Sequence, residues 1–140
     1  MPIQVLMTEG LVSKQNAKAL HARIVDAFME LHEIGDNPFM LPNVIGEVVF
    51  IDKDLTFAGK QVMPLAIVEL RVPSFTFNTQ LQKDRFVREV TDLVLSATEG
   101  RLNTESIWVN AVYAVDGLWG IGGKAYSNEA LGMAIQQAAG

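Results

Sequence analysis

The sequence predicts an α+β protein: a tandem β-α-β repeat folded as one four-stranded sheet with two helices on one face. Three observations lead there. Apolar, strand-like runs alternate with segments of helical period. The order strand, helix, strand, loop occurs twice. Matching residues also recur at one spacing: Pro2 and Pro64, Phe57 and Trp119, Arg23 and Arg85, and Leu31 and Leu93 are each 62 residues apart.

Residues 3–8 read as a first strand, broken by Glu9-Gly10. Ser13 is a helix N-cap. Ala17, Leu20, Ile24, Ala27, Phe28 and Leu31 then follow at helical spacing, with charged residues on the other faces. Gly35-Asp36-Asn37-Pro38 closes that helix. Residues 44–51 form the second strand, and a loop through Phe57-Ala58-Gly59-Lys60 follows. Pro64 opens the third strand, 65–72, and Pro73 stops it. Asn78 or Thr79 caps a second helix whose apolar face carries Phe86, Val90, Leu93, Val94 and Ala97. Residues 106–115 form the fourth strand. A Gly-rich loop through Trp119-Gly120-Ile121-Gly122-Gly123 follows it, and Ser127 to Ala138 reads as a short closing helix. The repeats are thus about 2–61 and 64–124, with a closing segment 125–140, in a single domain. A helix between two strands makes those strands parallel. Several strands are apolar on consecutive positions, as in Val48-Val49-Phe50-Ile51. The sheet face away from the helices is therefore expected to be covered by other subunits.

Composition narrows the function. The chain has 140 residues, 49% hydrophobic and 19% charged, enough for one core. A net charge of −5 argues against a nucleic-acid partner. Cysteine is absent, which removes disulfides, thiolate catalysis and Cys–zinc sites. No apolar run reaches the roughly 18 residues of a membrane span. No basic segment followed by an apolar run marks a signal peptide. A cytoplasmic protein is the expectation. Two histidines, His21 and His32, do not make a metal motif.

Pro2 is the first chemical candidate. Removal of Met1 would make it a free secondary amine. An α-amino group titrates near ~7.7–8.0 and burial lowers that value, which suits an acid–base group at neutral pH. The Gly-rich loop near the far end lacks the spacings of a phosphate loop, so its glycines serve tight turns and close backbone approach.

A strand-opening Pro2, β-α-β units of this length and the Trp119-Gly120-Ile121-Gly122-Gly123 loop together resemble the tautomerase superfamily, and within it fused, two-unit 4-oxalocrotonate tautomerase-like proteins. The resemblance covers nearly the whole chain. It implies a tautomerase (MIF-like) fold, a homotrimer, and enol–keto isomerisation of a 2-oxo acid without metal or organic cofactor. It implies that Pro2 is the general base and acid and that Arg71 binds the substrate carboxylate. Trp119 would be an apolar wall, and Trp108, Asn110 and Tyr113 on the fourth strand would contact substrate. Pro64, an internal amide, has no basic nitrogen, and the residue 62 before Arg71 is the acid Glu9. One working site per chain is expected.

Trp108 stands where the 4-oxalocrotonate branch carries a second arginine. Ser106-Ile107-Trp108-Val109 is similar to the cis-3-chloroacrylic acid dehalogenase branch, but Phe28, Ser74 and Asn110 occupy the places of that branch's histidine, second arginine and tyrosine. Asp36 lies near the aspartate of the malonate semialdehyde decarboxylase branch. The alternatives are a decarboxylase, or a hydratase or dehalogenase, of small unsaturated or 3-oxo acids. Two non-catalytic readings stand beside them: a trimeric binding protein and a ferredoxin-like small-molecule sensor.

Overall fold

A computed structural model describes the whole chain, Met1–Gly140. The elements in order are β1 (Ile3–Thr8), α1 (Lys14–Leu31), β2 (Gly46–Ile51), β3 (Phe57–Ala58), β4 (Gln61–Val62), β5 (Ala66–Pro73), α2 (Gln80–Thr98), β6 (Ile107–Ala114), β7 (Trp119–Ile121), β8 (Lys124–Tyr126) and α3 (Asn128–Ala139). The main sheet runs β2-β1-β5-β6. Its outer pairs are parallel and its central pair, β1–β5, is antiparallel. This is the α+β arrangement that the tandem units predict.

Local sequence explains each helix end. Ser13, Thr79 and Ser127 accept backbone N–H bonds from Asn16, Gln82 and Ala130 at 3.1, 3.2 and 3.0 Å, which satisfies donors that a helix start leaves free. Helix α2 ends where Glu99 (φ 52) and Gly100 (φ 79) turn left-handed. The core lies between the sheet and α1 and α2. Ile3, Val5 and Met7 alternate inward on β1, and Ala66, Val68, Leu70 and Val72 on β5. They belong to one cluster with Ile24 and Phe28 of α1 and Phe86, Val90 and Val94 of α2.

The opposite sheet face carries rows of alternating character. Register places Val49, Leu6, Ile67 and Trp108 side by side, and beside them Glu47, Gln4, Glu69 and Asn110. Trp108 is 61% exposed. An apolar row of this kind is a surface that association would bury.

Three features differ from the sequence reading. Strand β2 starts at Gly46 rather than 44, because 41–43 form a short 3₁₀ turn. The two loops that follow β2 and β6 are short hairpins, β3–β4 and β7–β8. The repeat spacing is 63 in the strands and hairpins, not 62. Arg71 N–H donates to the Pro2 carbonyl at 3.0 Å, and Thr8 N–H donates to the Leu65 carbonyl at 3.0 Å; these are one bond in two copies. Hairpin glycines Gly59 (φ 58) and Gly122 (φ 59) match at the same interval. The helices are displaced further, with caps at Ser13 and Thr79. Side chains on a strand alternate faces, so a spacing wrong by one compares residues that point opposite ways. The structural counterpart of Pro2 is therefore Leu65, that of Arg71 is Thr8 rather than Glu9, and that of Trp119 is Thr56 rather than Phe57.

Gly46 shows how tightly β2 meets the helix layer. A Cβ there would overlap the Ile3 carbonyl oxygen and His21 Nε2. The carbonyl cannot move without disturbing the β1–β2 ladder. Gly46→Ala is expected to destabilise the protein by about 2 kcal/mol. Urea unfolding would read this as a lower midpoint at unchanged m.

His32 caps the end of α1 against aromatic rings, with its centroid 4.7 Å from Phe28 and 5.7 Å from Phe77. Its Nε2 is buried without a hydrogen-bond partner. Burial holds its pKa below the ordinary 6.5. The folded state thus binds fewer protons than the unfolded chain once pH falls below 6.5, and stability declines from there downward. In His32→Phe the fall in melting temperature between pH 7 and pH 5 should be shallower than in wild type.

Candidate active site

Pro2 directly precedes β1, and antiparallel register sets it opposite Arg71 on β5. Parallel register brings Ile45 to its other side, where Ile3 N–H donates to the Ile45 carbonyl at 2.8 Å. The β7–β8 hairpin then folds over this end of the sheet. The result is a cleft of about 450 Å³ whose lining includes Pro2, Arg71, Tyr113, Leu118, Trp119 and Ile121, together with Met1, Asn43 and Ile45. Two segments that lie far apart in sequence, the chain start and the Gly-rich loop, meet here.

Met1 occupies part of this cleft. Its side chain is buried, and its α-ammonium donates to the Asn43 carbonyl. Desolvation lowers that amine from 8.0 to about 6. An amine in this setting is mostly neutral at pH 7 and can accept a proton. While Met1 remains, the Pro2 nitrogen is an amide and carries no lone pair for that purpose.

The Arg71 guanidinium is the cation of the cleft. Its Nε lies 3.6 Å from Glu69 Oε1 on the same strand. The side chain is exposed, so this pair orients the guanidinium more than it stabilises the fold. The remaining N–H groups are free to take a carboxylate. Trp119 is half-buried and its Nε1 is buried without a partner. Its ring joins the apolar edge of the core, as do Ile121 and Tyr126.

The structure brings together four of the six residues singled out by sequence: Pro2, Arg71, Tyr113 and Trp119. Trp108 and Asn110 do not line this cleft. They line a separate groove with Phe57, Pro64, Ile67 and Glu105. The cause is strand register. Trp108 pairs with Ile67 and Asn110 with Glu69 on the open face, below the level of Arg71, which pairs with Val112. Sequence reading missed Ile45, Leu118 and the Asn43 carbonyl. Ile45 follows from parallel pairing beside Pro2. Asn43 acts through its backbone, which no side-chain pattern signals.

The equivalent place in the other unit is that separate groove, of about 430 Å³, where Leu65 stands for Pro2 and Trp108 for Ile45, and it lacks both the terminal amine and the cation. Thr8 and Thr56, the counterparts of Arg71 and Trp119, are both buried, with hydroxyl oxygens 2.8 Å apart. Thr56 Oγ1 donates to the Met63 carbonyl at 2.7 Å, and Leu65 N–H donates to Thr8 Oγ1 at 3.0 Å. A buried, hydrogen-bonded threonine pair thus stands where the Pro2 cleft has its guanidinium and its indole.

No group of three or more His, Asp or Glu side chains is placed to hold a metal ion. No helix is long and apolar enough to cross a membrane.

No protein-family model matches the chain, and no curated protein matches it by sequence. Solved structures do match it. A fused 4-OT in a symmetric trimer superposes with a TM-score of 0.74 at 14% identity, covering 94% of this chain and 99% of that one. A malonate semialdehyde decarboxylase inhibited by 3-bromopropiolate gives 0.66 at 14% identity, over 87% and 89%. A member of the cis-3-chloroacrylic acid dehalogenase family gives 0.67 at 20% identity, over 95% and 90%. At these identities the likeness is one of fold, and the fold is the tautomerase fold.

Proposed function

We propose that this chain, which has the fold of the fused 4-OT proteins, is an enol–keto tautomerase of a 2-oxo acid with one site per chain. One observation carries the reading: the chain start and the Arg71 guanidinium meet across β1 and β5 in one cleft walled by Trp119, where burial suppresses amine protonation. With Met1 removed, the Pro2 nitrogen is the neutral amine of that cleft. It takes the enol hydroxyl proton, or a proton α to the carbonyl, and the resulting ammonium returns a proton to carbon or oxygen. Arg71 holds the carboxylate and fixes the reacting carbon near the amine. Trp119, Leu118 and Ile121 keep water out and the amine neutral. The chain's own residues supply every proton-transfer group this requires.

A decarboxylase and a dehalogenase family member share the fold, so those reactions are the second reading. The residues here favour it less. Hydration or dehalogenation needs a group to activate water, and no Asp, Glu or His lines the cleft. Phe28 sits in the core and Asp36 lies outside the cleft. Assembly as a homotrimer is part of the proposal. It would bury the row of Val49, Leu6, Ile67 and Trp108, and it agrees with the trimeric state of the fused 4-OT neighbour.

The test is ketonisation of phenylenolpyruvate and 2-hydroxymuconate by protein whose intact mass shows Met1 absent. Turnover well above buffer supports the reading, and preference between the substrates reports whether one carboxylate or two are read. No turnover of either overturns it in this form.

A further inference from the structure

A second cleft, of about 290 Å³, opens on the other side of Tyr113, between the edge strand β6 and helix α2. Val109, Ala111 and Tyr113 form one wall, Phe77 and Phe86 the floor, and Val87 the rim. Register explains the wall. Val109, Ala111 and Tyr113 pair with the inward residues Val68, Leu70 and Val72, so their side chains face the helix layer. At this sheet edge that layer does not cover them fully. Phe77 and Phe86 pack at 5.3 Å between centroids and give the cleft a fixed aromatic base. The one charged group of the lining is Lys83, which makes no ion pair.

The matching edge of the first unit is different. The groove between α1 and β2 is lined by Lys14, Lys18, His21 and Glu47. There His21 reaches across to within 3.3 Å of the Ile3 carbonyl, over a residue with no side chain, Gly46. The corresponding strand position of the second unit is Val109. The apolar cleft with a single cation is thus peculiar to one half of the chain and is not a consequence of the repeat.

We infer that the β6–α2 cleft is a binding site for a small apolar carboxylate, an aryl-acetate-sized molecule. The Lys83 ammonium takes its carboxylate, and the Phe77, Phe86, Val87 and Val109 walls take its hydrocarbon body. Size and charge both lead to this class. A dry apolar cavity of about 150 Å³ accommodates benzene, so 290 Å³ leaves room for a ring and a short acidic arm. Apart from Lys83, Asn110 is the one non-hydrophobic residue of the lining, and it is uncharged, so the single unpaired lysine is complementary to one anionic group and to no second one. Tyr113 lines this cleft and the Pro2 cleft alike. An occupant here therefore touches a wall of the candidate active site. The binding itself is independent of the reaction proposed above.

Phenylacetate is the probe, titrated into the ¹⁵N-labelled full-length protein and followed by amide shifts. The expected result is a saturable shift at Val87, Val109 and Ala111 with a Kd of about 1 mM or tighter. Lys83→Gln should weaken it about tenfold, as should replacing the probe by neutral phenylacetamide. Val87→Trp, a change at an exposed rim position, should fill the cleft and abolish binding. Arg71→Gln should leave these shifts unchanged, which separates this site from the Pro2 cleft. Loss of the shifts in Arg71→Gln but not in Lys83→Gln would place the acid in the Pro2 cleft only and overturn the inference. Absence of saturable shifts would also overturn it, including the case where a second copy of the chain seals the cleft and Val87→Trp lowers the oligomeric mass.

Discussion

Pro2→Ala is expected to lower kcat/KM for enol ketonisation by about 100-fold, within the range that one positioned acid–base group contributes. The pyrrolidine ring fixes the nitrogen relative to β1, whereas the amine of an alanine start can rotate away from the substrate. The fold should be indifferent. Proline donates no backbone N–H, and the residue-2 carbonyl still accepts from Arg71 N–H. Circular dichroism and melting temperature should therefore match wild type while the rate collapses. The pH profile adds a sign. The base must be neutral to act, so kcat/KM should fall on the acid side as the amine is protonated. Burial in the same cleft lowers the amine of Met1 from its ordinary 8.0, and the limb should likewise lie below 8.0. Protein that keeps Met1 should be inactive at every pH, because its Pro2 nitrogen is an amide. An acid limb near 8, or full activity with Met1 in place, would rule out Pro2 in this role.

Arg71→Gln is expected to cost about 100-fold in kcat/KM with carboxylate substrates, near the upper value of a hydrogen bond to a charged group. The loss should be much smaller for an enol substrate without the carboxylate. Arg71→Lys should restore only part of the activity, since an ammonium cannot form the two-pronged contact of a guanidinium. Stability should barely change in either variant, because the Arg71–Glu69 pair is exposed. Equal losses with and without the substrate carboxylate would show that Arg71 does something other than bind it.

Much of this arrangement was legible in the chain. Helix caps at Ser13 and Thr79 and the alternation of Ile3, Val5 and Met7 are local facts, and local sequence determined them. So did the pairing of helices with parallel strands, since a β-α-β crossover has few geometries. Pro2, Arg71 and Trp119 stood out because each is chemically conspicuous where it stands. The exact spacing of the repeat was not legible. Coincidences at 62 residues, such as Pro2 with Pro64, were real in the sequence but out of phase with the strands, which repeat at 63.

Tertiary structure decided the rest, because register is set by pairing across the sheet and not along it. It moved Trp108 and Asn110 to another groove and left Tyr113 at the Pro2 cleft. It identified Thr8 and Thr56 as the buried pair that replaces the cation and the indole in the second copy, although neither residue is conspicuous in the chain. It brought the Asn43 carbonyl to the terminal amine, a contact between backbone groups that carries no side-chain signature. The sequence by itself determined which elements form and which groups have chemistry to offer. Which of those groups share a cleft depended on one-residue differences in strand pairing, where each step of register turns a side chain to the opposite face.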